Sequence, residues 1–158
     1  MNEKTFEERV RALEPKLYRT ASAVLWNDAD AADALQECIL RAWRRLDSLR
    51  EEERFDAWLT RILLNCCRDI QRQARRRPLP LDEALREGSH EAVPDTGLRE
   101  ALRALPTQYR LPLLLHHLDG YSLEEISRML RLPISTLKGR LYEARRRLKA
   151  LLDEEAAR

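Results

Sequence analysis

Residues 121–149 read YSLEEISRMLRLPISTLKGRLYEARRRLK, and this stretch decides the fold. Ser122-Leu-Glu-Glu125 matches a capping box, in which a serine hydroxyl and a glutamate carboxylate satisfy each other's helix-end amides. Leu123, Ile126 and Leu130 form the inner face of the helix it opens. A brief turn through Arg131-Leu132 leads to Pro133, suited to the first turn of a last helix whose inner stripe is Leu137, Leu141, Ala144 and Leu148. Two short helices a few residues apart, the second basic, are the outline of a helix-turn-helix.

In that motif the second helix enters the major groove and its N-terminal residues meet base edges. With the stripe inward, helical spacing directs Gly139 outward, flanked by Thr136, Lys138, Arg140 and Glu143. Glycine there lets the backbone approach a base or phosphate closely. Lys138 and Arg140 can donate to guanine or phosphate, and Glu143 can accept from cytosine. Ser135 and Thr136, in the first turn, sit where helix amides favour a phosphate. From Arg131 to Lys149, Lys138, Arg140, Arg145, Arg146, Arg147 and Lys149 stand against the single acid Glu143.

Upstream, Leu98, Leu102 and Leu105 line a helix that stops before Pro106. Leu111, Leu114, Leu115 and Leu118 line another, ended by Asp119-Gly120. These four helices form a unit over residues 96–152. From 78 to 95 the pattern dissolves into Pro78, Pro80, Gly88, Ser89 and Pro94 among scattered charges, which reads as a flexible linker. Fully extended it reaches roughly 60 Å at ~3.3–3.6 Å per residue. That approaches two turns of duplex at ~34–36 Å each, so the flanking units can sit on separate stretches of one DNA molecule.

A first helical unit spans residues 5–77. Its opening helix carries Phe6, Val10, Leu13 and Leu17 and continues beyond Pro15 towards Leu25 and Trp26. Asn27-Asp28-Ala29-Asp30 is a break with capping residues. The second helix shows an apolar stripe of Leu35, Ile39, Trp43 and Leu46, with Asp33, Gln36 and Glu37 as a polar patch. A charged run to Arg54 follows. The third helix begins near Phe55 and ends at Arg75-Arg76-Arg77-Pro78. Leu59, Ile62, Leu63, Cys66 and Ile70 face inward, and Arg61, Asn65, Arg68 and Arg72 line the other side with Trp58 at the boundary. An aromatic ring beside a basic track and an amide suits single-stranded nucleic acid: the ring stacks, guanidinium groups hold phosphates, and the amide reads a base edge.

Composition agrees with an all-α chain of two small domains. Charged residues make up 35% and aromatics 6%, too few bulky side chains for one large core. No glycine precedes Gly88, which favours helix and excludes a glycine-rich phosphate loop in the first half. Cys38, Cys66 and Cys67 are odd in number and lie in helical patterns, so they read as reduced, core-packing thiols of a cytoplasmic protein, with a redox role for Cys66 and Cys67 left open. No run approaches the ~20 apolar residues of a membrane span, so no membrane insertion is expected.

These features together resemble the sigma-70 superfamily, in its short extracytoplasmic-function branch. Asp33-Ala-Leu-Gln-Glu-Cys-Ile-Leu-Arg-Ala-Trp43 looks like the family's helix that grips the clamp coiled coil of the polymerase largest subunit. Phe55-Asp-Ala-Trp-Leu-Thr-Arg-Ile-Leu-Leu-Asn65 resembles its promoter-melting, minus-10-reading segment. Leu105-Pro106, Tyr121-Ser-Leu-Glu-Glu-Ile126 and Thr136-Leu-Lys-Gly-Arg-Leu-Tyr-Glu-Ala-Arg145 are similar to its minus-35-binding domain. The resemblance implies a sigma factor that brings core RNA polymerase to promoter DNA and is held in check by an anti-sigma factor. It implies core-polymerase contacts at Asp33, Gln36 and Glu37, and capture of a flipped minus-10 base by Asn65 with Trp58, Arg61 and Arg68 nearby. The minus-35 duplex would be read by Ser135, Thr136, Lys138, Gly139, Arg140 and Glu143. Glu143 stands where relatives are often basic, which implies a promoter preference of its own.

Two other classes compete. A plain helix-turn-helix regulator with an N-terminal dimerisation domain explains Tyr121–Leu148 equally well but leaves the Trp58–Arg72 face and the Asp33–Glu37 patch without a role. An enzyme could be drawn from His116-His117 and Cys66-Cys67 as metal ligands, but no spacing matches a zinc signature. The expectation is therefore no catalytic activity, no cofactor and no metal.

Overall fold

A computed structural model describes residues 1–76 and 96–157. Among them every regular element is helical. The chain divides into two compact units between residues 90 and 91, and the proposed linker over 78–95 lies outside the described residues.

In the first unit, α1 spans Glu3–Leu25 and opens on Asn2, whose side chain accepts from the Thr5 amide at 2.8 Å. It continues through Pro15, which is exposed, as is Arg11, so the Arg11 carbonyl that loses its intrahelical donor lies on the solvent side. Trp26 ends it in the left-handed region (φ 52°), its amide donating to the Ser22 carbonyl at 2.8 Å. Asn27 then caps α2, Asp28–Arg44, whose acids in the first turn and arginines in the last complement the helix dipole. Two short 3-10 turns, Leu46–Ser48 and Glu52–Arg54, carry the charged run to α3, Phe55–Arg76.

The core differs from the sequence expectation on α2. Its buried residues are Ala31, Ala34, Cys38 and Ala42, while Leu35 and Ile39 are half-buried and Trp43 is 45% exposed. The expected stripe of Leu35, Ile39, Trp43 and Leu46 is the flank of the buried face, not its centre. The reason is steric. This helix packs against both α1 and α3, and small side chains let three backbones approach closely while Phe6, Leu17, Phe55, Leu59 and Leu63 fill the space around them. Phe6 meets Phe55 edge-on at 6.0 Å and Trp43 at 5.2 Å, so the tryptophan covers the end of the core from outside. All three cysteines are buried, and the Cys38 thiol donates to the Leu59 carbonyl at 3.5 Å. Burial pushes Cys67 up to about 12 and raises Cys66 and Cys38 as well, so the thiols stay protonated.

The second unit holds α4 (Thr96–Ala104), α5 (Thr107–His117), α6 (Leu123–Leu130) and α7 (Ile134–Ala156). Of the expected stripes on α6 and α7, Ile126, Leu130, Leu137, Leu141 and Ala144 are in the core, while Leu123 and Leu148 are only half-buried. On α5, however, Arg110, Leu111, Pro112, Leu113 and Leu115 are buried, and Leu118 at its end is 48% exposed. This helix packs on α6 and α7, and its Arg110 reaches α4, so a single stripe does not describe it. Gly120 turns the chain with φ +76°, a conformation that other residues adopt at a cost. The last helix runs four residues past the expected end at 152, and Pro133 caps it instead of occupying its first turn.

Candidate nucleic-acid interface

The helix-turn-helix is built by α6, a three-residue turn and α7. Both halves of the capping box form: the Glu125 amide donates to Ser122 Oγ at 3.1 Å, and the Ser122 amide to Glu125 Oε1 at 3.3 Å. Arg131 takes the left-handed cap conformation (φ 55°), the Leu132 amide donates to the Ser127 carbonyl at 3.0 Å, and the Ser127 hydroxyl donates to the Leu132 carbonyl. The turn is thus fixed from both sides, and it sets the direction in which α7 leaves.

On α7, Ser135, Thr136, Lys138 and Gly139 are exposed and Arg140 is half-exposed. Ser135 and Gly139 stand opposite Leu137, Leu141 and Ala144, with Thr136 and Lys138 on either flank, while Arg140 lies at the edge of the buried face. Glu143 differs from the rest of the group. Its carboxylate accepts from Arg146 Nε and Arg147 Nε, each at 3.0 Å. Those two arginines hold it well below the usual carboxylate range, at about 2. The Arg147 guanidinium in turn lies 4.4 Å from the centre of the Tyr109 ring on α5.

Tyr142 was missed by the sequence reading. It is 70% exposed and lies on the same side of α7 as Lys138 and Lys149. The period that pointed Gly139 outward also points Tyr142 outward, so the signal was present in the sequence.

A Cβ at Gly139 would meet no heavy atom within 4 Å. Gly139→Ala is therefore expected to raise the melting temperature of the protein, by the roughly 0.5–1 kcal/mol that alanine gains over glycine inside a helix. If the backbone here approaches DNA, the same methyl group weakens binding to a minus-35 duplex by about tenfold, an overpacking cost of roughly 1–3 kcal/mol. A melting curve and a titration on one sample separate the two effects.

On the first unit, Arg61 and Arg72 are exposed, and Trp58, Asn65 and Arg68 half-exposed, along one side of α3. The Trp58 ring packs at 5.8 Å on Phe55, tilted by 40°, which fixes its plane while leaving part of it open. Phe55 is itself flanked by the Arg9 guanidinium, 4.7 Å from its ring centre, which also donates to the Glu52 carbonyl at 3.0 Å.

The α2 patch splits in two. Asp33 and Gln36 are exposed. Glu37 accepts from Arg41 Nε at 2.9 Å, and Arg41 reaches across to Asp69 on α3, also at 2.9 Å. Beside Asp33 and Gln36 the helix exposes Leu40 (52%) and Trp43, large apolar side chains that the sequence reading had not assigned to this face.

Cys66-Cys67 and His116-His117 fall in different units. Among the described residues no three His, Cys, Asp or Glu side chains come together to hold a metal, and no helix is long and apolar enough to cross a membrane. His116 Nδ1 pairs with the Tyr121 carbonyl at 2.9 Å, a structural tie between α5 and the start of the motif. His117 accepts from Arg145 Nε at 3.3 Å; burial, then Arg145 and His116, lower its pKa.

Comparison with known proteins covers both units. Residues 9–77 match the family model of Sigma-70 region 2, and residues 96–148 that of Sigma-70, region 4. Over 150 residues the chain is 33% identical to the ECF RNA polymerase sigma factor SigM of Mycobacterium tuberculosis, spanning 93% of this chain and 76% of that protein. It is 31% identical to the RNA polymerase sigma factor SigV of Bacillus subtilis, spanning 87% and 85% of the two chains. In three dimensions it is similar to the sigma factor RpoE of Bartonella quintana, solved in complex with the anti-sigma factor NepR. There the TM-score is 0.79 at 25% identity, covering 95% of this chain and 98% of that one.

Proposed function

The chain belongs to the sigma-70 family, in its extracytoplasmic-function group, and on that premise we propose which of its surfaces do a sigma factor's work. As a member of that group it binds core RNA polymerase and recognises promoter DNA. The first unit, over residues 5–77, takes the core-polymerase contact through Asp33, Gln36 and Glu37, joined by Leu40 and Trp43. Polar groups around an exposed apolar centre are the make-up of a protein–protein interface.

The same unit captures the opened minus-10 strand on α3. Trp58 supplies a stacking plane, Asn65 an amide for the edge of a flipped base, and Arg61 and Arg68 the phosphate contacts. The second unit, over residues 96–152, reads the minus-35 duplex. Ser135 and Thr136 take a phosphate at the start of α7, Lys138, Gly139 and Arg140 meet the groove, and Glu143 belongs to the same minus-35 surface. Residues 78–95 join the two. Chemistry at the nucleotide level is left to the polymerase. An anti-sigma factor, of the kind bound to the Bartonella quintana relative, is the expected negative regulator.

One observation carries this reading: two units, each with a basic face, matched in order to Sigma-70 region 2 and to Sigma-70, region 4. Selection of fragments from a randomised promoter pool, by core RNA polymerase loaded with this chain, tests it. Two enriched blocks at a fixed spacing are expected. A single block, obtained equally without core polymerase, would instead fit a plain helix-turn-helix regulator.

A further inference from the structure

Between Ile134 and Lys149 the DNA-facing helix carries one acid, Glu143, and it is engaged before any DNA arrives. Glu143 lies one turn before Arg146 and Arg147 and accepts from both, through both nitrogens that Arg146 offers it and through Arg147 Nε. Arg146 is largely exposed, while Arg147 is anchored a second time on Tyr109. The cluster therefore has a fixed end, in Arg147 and Tyr109, and a free end, in Arg146. The carboxylate stays ionised at any pH at which duplex DNA is handled. Arg146 thus has two competing acceptors, the Glu143 carboxylate within the helix and a DNA phosphate outside it.

We propose that Glu143 is a positioning residue that holds Arg146 back from DNA phosphates, lowering the affinity of the second unit for duplex of arbitrary sequence. This rests on the reading of α7 as the minus-35 helix. Non-specific affinity grows with each phosphate neutralised by a cation. A promoter-selecting protein gains discrimination when a cation outside the base-reading positions is restrained. Lys138 and Arg140, one turn earlier, are not tied to Glu143 and remain available to the groove.

The test uses the full-length chain and a fluorescent duplex of about 20 base pairs of arbitrary sequence, with Glu143→Gln, Arg146→Met and the double variant. Pairs at i,i+3 and i,i+4 on a solvated helix are individually weak. Glu143→Gln is accordingly expected to tighten binding about threefold to fivefold at low salt. It should also steepen the slope of log affinity against log salt by about one, the signature of one added phosphate contact. Arg146→Met should change the wild-type affinity less than about twofold and should abolish the gain when combined with Glu143→Gln. All four proteins should melt within a few degrees of each other, since the pairs are on the surface.

An equal gain in both Arg146 backgrounds would mean simple removal of a negative charge and would overturn the proposal. So would a pool selection with core polymerase in which Glu143→Gln erases preference at one minus-35 base pair while the salt slope stays put, since Glu143 would then be a base reader. A pool in which the wild-type holoenzyme enriches no minus-35 block would overturn the underlying assignment of α7, and the proposal with it.

Discussion

A chain carrying Asp33→Ala, Gln36→Ala and Glu37→Ala is expected to fold normally and to lose roughly a hundredfold in affinity for core RNA polymerase, the ~3 kcal/mol that a small cluster of interface hot spots carries. Asp33 and Gln36 are exposed, so their truncation removes nothing from the core. Glu37 gives up its pair with Arg41, but that is an i,i+4 pair in which both side chains are partly solvated. Such pairs contribute about 0.3–0.5 kcal/mol. Arg41 keeps Asp69 as a partner at 2.9 Å, so the tie between α2 and α3 survives.

Leu40→Ala is expected to weaken binding as well, because Leu40 lies between Asp33 and Trp43 on the outer face with half its surface in water. Retention on immobilised core polymerase, with a thermal melt of each variant, reads both effects. Undiminished retention by the well-folded triple variant would make the patch an ordinary solvated face and move the polymerase contact elsewhere.

That this face carries large apolar residues was not legible in the sequence, and the reason is physical. A periodic run of Leu35, Ile39 and Trp43 is read as a core stripe because large apolar side chains are usually buried. Periodicity reports that a helix has an apolar side; it does not report which side the neighbours occupy. Here α2 lies against two helices, and Ala31, Ala34, Cys38 and Ala42 set the close approach. The apolar residues left over flank that contact and remain partly in water, where a partner can cover them.

The helix-turn-helix was legible nearly to the residue, because its signals are local. A capping box, a left-handed turn and a period of 3.6 residues are each fixed within a few positions. Glu143 shows the limit of that legibility. Its outward direction followed from the period, but its engagement with Arg146 and Arg147 depends on side-chain geometry.

Arg110 is the residue whose loss is expected to damage the second unit most. A long cation in a leucine-rich helix reads as solvated, yet Arg110 is only 6% exposed. Its guanidinium donates to the carbonyls of Leu102, Arg103 and Leu105, at 3.2, 3.2 and 3.1 Å, and to the Thr107 hydroxyl oxygen at 3.2 Å. Those carbonyls end α4, where the last turn of a helix has acceptors without intrahelical donors. The cation also meets the negative end of the α4 dipole.

Burial lowers the guanidinium to about 10. For a base, a lowered folded-state value means that burying the charge costs stability at every pH below about 10, and the cost fades only as pH rises towards the ordinary value. The acceptors must therefore outweigh that cost in the native protein. Arg110→Met keeps much of the volume and removes the charge, but it strands the carbonyls, each at about 1–3 kcal/mol where water is excluded. The net loss expected is about 3 kcal/mol, a large share of the roughly 3–9 kcal/mol that a unit of this size can hold.

Because each unit is compact in itself, the damage should stay local. Hydrogen exchange on the intact chain should show amide protection in α4–α7 falling by about a hundredfold or more while α1–α3 keep theirs. Core polymerase should still be retained, and minus-35 duplex binding should be lost. Arg110→Lys should fall between the two, since one ammonium cannot span the acceptors that a planar guanidinium forks across. Protection in α4–α7 that is unchanged by Arg110→Met would mean that water satisfies the end of α4 and that the arginine is dispensable to the fold.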